Sequence, residues 1–171
     1  KNKVSKEIPF LNDNEKQKIH YFIGNFLLES ISEENFKKSI LYIVDHLNAG
    51  KELILSENER NKVSRLNLQA GNKAKASAAY KSALNYYNTG IDLITFSSSN
   101  NEICWKKHYQ LSLALYTNSA EAAYLNSDFD KMDQFSKVAI KEAHSLLDST
   151  RVYEIKIRSL MAQNKLQKAL N

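Results

Sequence analysis

Glycine and proline are scarce in this chain, which has four glycines and one proline in 171 residues. An average protein contains about 7% glycine and about 5% proline. The tight turns of β-sandwiches and β-barrels depend on these two residues, so the sequence lacks the turn signals that such folds require. We therefore expect an all-helical protein.

The composition limits the broad class of protein. With 43% hydrophobic and 25% charged residues, the chain resembles a soluble globular domain, and we expect one domain over residues 1–171. Cys104 is the only cysteine, which excludes an internal disulfide framework and a cysteine-rich zinc site. No apolar run reaches the roughly 18 to 20 residues of a membrane helix, and no signal-peptide core follows the first residues. A cytoplasmic location is predicted. Because the sequence lacks an initiator Met, we also expect it to be a fragment of a longer chain.

Capping residues divide the chain into helices. Asn12 and Ser56 are each followed three residues later by glutamate, the capping-box pattern of a helix start. Gly50 and Gly71 are predicted to end helices, Gly50 as a left-handed cap. With further caps at Ser32, Asp128 and 148–150, we expect helices at 12–29, 32–50, 56–71, 73–94, 102–125, 128–147 and 151–162, and an eighth from Leu166. They form pairs at 12–50, 56–96, 101–147 and 150–171, with a serine-rich loop at 97–101.

Three predicted turns look alike, at 68–74, 123–129 and 160–166. Aligning Ala74, Phe129 and Leu166 gives separations of 55 and 37 residues, and the second is close to the 34-residue period of tetratricopeptide repeats. The pattern favours a right-handed superhelical array of antiparallel helix pairs, a tetratricopeptide-like α-solenoid, over a closed four-helix bundle. Such an array would have a concave groove.

Four longer runs of the sequence resemble a known family. The runs DHLNAGKELI (45–54), LNLQAGNKAKASAAY (66–80), AEAAYLNSDF (120–129) and VYEIKI (152–157) are similar to the helical region of very large bacterial signalling proteins. In that family a serine/threonine-kinase-like domain and an AAA-type signal-transduction ATPase precede the tetratricopeptide-like region, and a GAF sensor and a histidine kinase follow it. The resemblance implies an all-helical segment between catalytic domains.

The sequence shows no catalytic or metal-binding motif of its own. It has no phosphate-binding GxxxxGK[ST] loop, no kinase glycine-rich loop and no His-Arg-Asp catalytic loop. The four histidines occupy four predicted helices, and none is paired with another at the i, i+4 spacing of a helical metal site. We expect the histidines to lie on helix surfaces or in packed positions, Cys104 to be buried and inert, and the tyrosines to pack between helices. No enzyme activity, metal or cofactor is predicted for this segment.

The charge distribution favours a protein partner over nucleic acid. The net charge is +5, and basic residues cluster in the first predicted repeat pair. However, lysines outnumber arginines by twenty to four, the charges do not form one stripe, and no nucleic-acid-binding motif is present. The clustered residues are Arg60, Lys62, Arg65, Lys73, Lys75 and Lys81.

The leading functional hypothesis is a non-catalytic regulatory and protein-interaction arm of a multidomain bacterial ATPase and kinase. The alternative is a free-standing adaptor that binds a peptide of a separate protein. In both cases the partner is a protein or peptide, and in the first it is a neighbouring domain of the same chain. Because the first helices of each pair line the concave side of such arrays, the predicted partner-binding residues are Asn67, His108 and Asn118, together with Lys73 and Lys75 at the rim nearby.

Overall fold

A computed structural model describes residues 12–96 and 102–164. The regular structure in these two ranges is entirely helical, which confirms the predicted all-α class there. The helices are α1 (Asp13–Ser30), α2 (Glu33–Ala49), α3 (Glu57–Ala76), α4 (Tyr80–Thr95), α5 (Glu102–Leu125), α6 (Phe129–Glu142) and α7 (Leu146–Ala162), with a short 3-10 helix at Lys51–Leu53. The predicted loop at 97–101 and the predicted eighth helix from Leu166 lie outside the described residues.

The two predicted capping residues begin their helices. At α1 the backbone N–H of Glu15 donates to Asn12 Oδ1 over 2.8 Å, and the Glu15 carboxylate accepts from the backbone N–H of Asn12, so the capping box is confirmed. At α3 the Ser56 hydroxyl accepts from the backbone N–H of Glu59. The Glu59 carboxylate in turn accepts a 2.7 Å hydrogen bond from the Tyr21 hydroxyl, which ties α1 to α3. Ser32 occupies the predicted cap position of α2 without a side-chain capping bond.

Gly50 follows α2 for a reason other than the predicted left-handed cap. Its φ of −103° is open to any residue. A Cβ at this position would lie 2.7 Å from Cβ of Tyr21 and 2.9 Å from the carbonyl oxygen of Gln17. Gly50 therefore allows the end of α2 to approach the backbone of α1 closely.

The prediction that Gly71 ends a helix is wrong. The third helix continues to Ala76, and α4 begins at Tyr80 instead of residue 73. A Cβ on Gly71 would come within 2.3 Å of the Tyr87 ring on α4. Glycine at this position makes room for a buried aromatic ring of the neighbouring helix.

Three turns share one backbone conformation, but their register differs from the predicted alignment. Ala78, Ser127 and Asn164 have φ values of 57°, 60° and 56°, the left-handed conformation that commonly ends helices. They are 49 residues (78 to 127) and 37 residues (127 to 164) apart. The predicted first interval of 55 residues is therefore wrong, because the first turn lies after Ala76 and not at Gly71.

The connection between α6 and α7 also lies earlier than predicted. Helix α6 ends at Glu142 instead of residue 147, and α7 begins at Leu146 instead of residue 151. Ser145, and not the run 148–150, is the capping residue, since its hydroxyl accepts from the backbone N–H of Asp148. The predicted cap of α6 by Asp128 is confirmed.

Each helix packs against the next one along the chain, and α5 also contacts α3 and α7. Two clusters of buried side chains hold the helices together. One joins α2 to α3, with Ile43, Val44, Leu47 and Val63 among its members. The other extends from the end of α3 to α7, with Ala74, Tyr87, Leu115 and Val152 among its members. Because α3 contributes to both clusters, it connects the first helix pair to the rest of the described chain.

None of the described helices combines the length and apolar character that crossing a membrane would require.

Candidate protein-interaction surface

His108 lies at an irregular point of α5, where φ is −130° and ψ is 38° within an otherwise continuous helix. Its Nδ1 atom is 2.7 Å from the side-chain amide nitrogen of Asn61 on α3. Nearby, the Lys107 ammonium donates to the Glu57 carboxylate over 3.1 Å. This hydrogen bond and the positive charge of Lys107 lower the pKa of Glu57. His108 therefore belongs to a polar contact between the N-terminal parts of α3 and α5.

A second polar cluster joins α3, α5 and α7. The Lys75 ammonium donates to Asn118 Oδ1 over 2.8 Å and also forms a close ion pair with Glu121. Arg151 of α7 donates to the same Glu121 carboxylate over 2.8 Å. Burial by itself would raise the pKa of Glu121, but the hydrogen bonds and charges of Lys75 and Arg151 outweigh it, so the pKa is lowered. The carboxylate thus stays ionised while it bridges two helices.

Asn67 is part of the core. Its side chain is fully buried, and it exchanges two 2.8 Å amide hydrogen bonds with Asn48 of α2. A third bond, to the carbonyl oxygen of Val63, completes its partners. A side chain without exposed surface supports its neighbours, so we expect Asn67→Ala to destabilise the fold and not only a binding surface.

Lys73 faces α2 as well. Its ammonium donates to the backbone carbonyl oxygens of Lys37 and Lys38 over 2.5 and 2.7 Å. The structure therefore brings Lys75 and Asn118 together. His108 lies about 15 Å from Asn118 along α5, at 1.5 Å per residue. Asn67 and Lys73 point to the other side of α3. Binding of a partner by these five residues stays a prediction.

The predicted basic cluster is divided among different environments. Arg60 is buried, donates to the carbonyl oxygens of Ile54 and Leu55, and lies 5.2 Å from the centre of the Phe96 ring. Lys62 and Arg65, in contrast, are exposed on the face of α3 that points away from α4. Lys81 is exposed as well, but it lies on α4, so Lys62 and Arg65 are the two exposed cations of the cluster on this face of α3.

Two histidines that the sequence places on separate helices face each other. His20 Nδ1 on α1 and His46 Nδ1 on α2 are 2.9 Å apart, and the Tyr42 ring packs edge-on against the His46 ring. Burial and the neighbouring His20 lower the pKa of His46, while Asp45 opposes the shift. The 26-residue separation hides this contact from a search for helical i, i+4 pairs.

A tyrosine holds the start of α7. The Tyr109 ring stacks on the His144 ring at 3.7 Å with an interplanar angle of 4°. The Tyr109 hydroxyl donates to Asp148 over 2.7 Å and accepts from the backbone N–H of His144. Within the described residues, no group of three histidine, cysteine, aspartate or glutamate side chains could hold a metal ion.

Comparison with known proteins finds a distant similarity to one signalling protein. It is 26% identical over 147 residues to hybrid signal transduction histidine kinase G of Dictyostelium discoideum. The match covers 76% of this chain and spans only 4% of the length of that relative. No family model matches the chain. No solved structure gives a significant match. The chain is thus distantly similar to a small region of a signal-transduction histidine kinase.

Proposed function

We propose that this chain is a non-catalytic helical-repeat scaffold that serves as a regulatory and protein-interaction arm of a multidomain signal-transduction ATPase and kinase. The observation that carries this proposal is the distant similarity to a histidine kinase of which the chain spans 4%.

The packing of the helices supports a repeat architecture. Helix α5 contacts both α3 and α7, and α4 and α6 follow α3 and α5 through turns of the same conformation. This is the neighbour relation of tetratricopeptide-like arrays, in which the first helices of successive pairs lie side by side. We assign the chain to a right-handed superhelix of this kind, with α3, α5 and α7 along its concave side.

The accessible face of α3 is the docking surface in this proposal. Lys62 and Arg65 are exposed there, and the polar contacts of His108, Lys75 and Asn118 hold α5 beside them. A neighbouring domain with an acidic surface would dock on these cations. If that domain docks more tightly in one of its two activity states, docking shifts the balance between the states.

A charge reversal in the intact parent protein tests this role. Lys62→Glu with Arg65→Glu removes the positive surface of α3, and we expect the ATP hydrolysis or autophosphorylation rate of the parent protein to change by at least about fivefold, the lower range of allosteric couplings. Lys81→Glu, a single charge reversal on the exposed surface of α4, is the control and should leave the rate unchanged. Equal rates in the parent, the double variant and the control would contradict the proposal.

A further inference from the structure

The two imidazole rings between α1 and α2 meet through their nitrogen atoms. His20 Nδ1 and His46 Nδ1 are 2.9 Å apart, and the centres of the two rings are 4.9 Å apart. Both residues are half-buried. Within the described ranges neither ring has another hydrogen-bond partner, and neither Nε2 is a buried unpaired atom, so solvent reaches that side of both rings. Two imidazole nitrogens from different helices therefore meet at one accessible place.

The separation of these two nitrogens fits one kind of metal coordination. Nitrogen ligands lie about 2.0 to 2.1 Å from a bound divalent transition metal ion. Two such ligands at 90° are about 2.9 Å apart, whereas the tetrahedral angle sets them about 3.3 to 3.4 Å apart. The observed 2.9 Å is thus the separation of neighbouring ligands in a square-planar or tetragonal site. Cu²⁺ and Ni²⁺ favour this geometry and bind imidazole.

The surroundings add negative charge but no third protein ligand. Asp45 is exposed, and its charge acts on the His46 ring, but its carboxylate accepts a 2.7 Å hydrogen bond from the Tyr86 hydroxyl. The Tyr42 ring packs edge-on against His46, with the ring centres 4.6 Å apart. In the part of the chain that the structure describes, no third histidine, cysteine, aspartate or glutamate joins the two histidines. Water would therefore complete the coordination of an ion held there.

A metal ion and the imidazole hydrogen bond use the same two atoms. In the metal-free chain one ring donates from Nδ1 and the other accepts. An ion requires the lone pair of both Nδ1 atoms, so the donating ring must carry its hydrogen on Nε2, on the side that solvent reaches. Both rings remain neutral in this exchange. The ion takes the place of one hydrogen bond and leaves the two side chains where the fold holds them.

We propose that His20 and His46 form a two-histidine binding site for Cu²⁺ or Ni²⁺ that links α1 to α2. Because the chain supplies half the ligand set of a structural zinc site, we expect a dissociation constant on the order of 10 µM. Helix α1 packs mainly on α2 and on the 3-10 helix that follows it, so a bound ion would hold the first helix in place. This site does not depend on the proposed interaction role.

Calorimetric titration of the whole 171-residue chain with Ni²⁺ tests the site. At about pH 7.5, where an ordinary histidine is neutral, we expect one ion per chain. His20→Gln and His46→Gln should each weaken binding at least about tenfold, because one imidazole alone cannot chelate the ion. His144→Gln, which removes an exposed histidine elsewhere, is the matched control and should bind like the parent chain. No binding by the parent chain, or equal weakening in His144→Gln, would overturn the proposal.

Nuclear magnetic resonance locates the ion without any substitution, so the result does not depend on how a variant folds. Ni²⁺ is paramagnetic and broadens the signals of atoms close to it. A small fraction of one equivalent should first broaden the ring signals of His20 and His46, followed by those of Tyr42. Broadening that begins at His108, at His144 or at any other site would show that the ion binds elsewhere, and the assignment to the imidazole pair would then be wrong.

Discussion

The facing imidazoles of His20 and His46 make the contact between α1 and α2 dependent on pH. Their Nδ1 atoms are 2.9 Å apart, so a hydrogen bond requires one ring to donate and the other to accept. When both rings are protonated, both Nδ1 atoms carry hydrogens and both rings are positively charged. The accepting position is then lost, and like charges meet in a partly buried site.

The sign of the stability change follows from the lowered pKa of His46. In the unfolded chain this histidine has its ordinary pKa of about 6.5, so it takes up a proton at a higher pH than His46 does in the folded chain. Stability is therefore highest above about pH 6.5 and decreases on acidification until the folded His46 is also protonated. We expect a loss on the order of 1 kcal/mol in the free energy of unfolding, the size of one hydrogen bond. Glu57 and Glu121 also have lowered pKa values, so their contribution is lost only at more acidic pH.

Urea unfolding at pH 7.5 and pH 5.5 measures this effect, and His46→Gln is the informative variant. Glutamine can hydrogen-bond to His20 and does not titrate, so its stability should change less between the two pH values. His144→Gln is the control, because the His144 ring stacks on Tyr109 and lies far from His20 and His46 in sequence. An undiminished pH dependence in His46→Gln would rule out the imidazole pair as its source.

Two buried serines differ in whether their hydroxyl is satisfied. Among the described residues, the Ser119 hydroxyl has no hydrogen-bond partner, whereas the equally buried Ser64 hydroxyl donates to the carbonyl oxygen of Gly90 over 2.8 Å. We expect Ser119→Ala to raise the free energy of unfolding by up to about 1 kcal/mol and Ser64→Ala to lower it by about 1 kcal/mol. Denaturant titration of both variants checks the contrast, and a loss in Ser119→Ala as large as in Ser64→Ala would contradict it.

Gly71 decides how closely α3 and α4 pack. A methyl group there would collide with the Tyr87 ring, which is fully buried. Helix propensity alone would make Gly71→Ala stabilising by about 1 kcal/mol. Forcing an extra methyl group into a well-packed core has the opposite effect and costs about 1 to 3 kcal/mol.

We therefore expect Gly71→Ala to lower the free energy of unfolding by about 1 kcal/mol, the overpacking cost less the gain in helix propensity, measured by thermal or urea unfolding. The loss should shrink in a Tyr87→Leu background, because the smaller side chain leaves room for the methyl group. A Gly71→Ala protein more stable than the parent chain would show that the ring does not occupy this space.

The start of α1 could be predicted because a capping box is local: Asn12 and Glu15 interact within one turn. The end of α3 could not, because Gly71 serves a contact with α4 that sequence spacing does not reveal. The same reason explains the unexpected pairing of His20 with His46. The left-handed turn at Ala78 was missed because alanine rarely adopts that conformation.

For the predicted partner-binding residues, the sequence indicates that polar side chains of α3 and α5 lie near each other, but it does not indicate where each side chain points. Polar side chains on α3 and α5 do lie near each other, as Lys75 and Asn118 show. The helical period did not show that Asn67 points into the contact with α2, since that depends on how the helix pairs stack. The described structure therefore separates residues that the sequence grouped together.

Glu121 connects α3, α5 and α7, which contact one another in that order. Its carboxylate accepts from Lys75 of α3 and from Arg151 of α7. The Lys75 and Glu121 side chains are only 18% and 23% exposed, so their interaction is less screened than a surface ion pair. Loss of Lys75 or Glu121 should weaken the packing of α3 on α5.

A double-mutant cycle with Lys75→Ala and Glu121→Ala measures this connection. We expect a coupling energy of about 1 to 2 kcal/mol, typical of residues in one hydrogen-bonded network. Arg158→Ala with Glu154→Ala, an exposed pair within one helix, should couple by less than about 0.5 kcal/mol and is the reference. Additive effects of Lys75→Ala and Glu121→Ala would mean that the cluster does not hold the helices together.

We propose that this helical chain is an interaction arm of a signalling protein, and calorimetric titration of the purified chain with the separately expressed ATPase and kinase domains of its parent protein tests this proposal. We expect saturable binding to at least one of these domains, weakened at least about fivefold by Lys62→Glu with Arg65→Glu and unaffected by Lys81→Glu. Absence of binding to every such domain would contradict it.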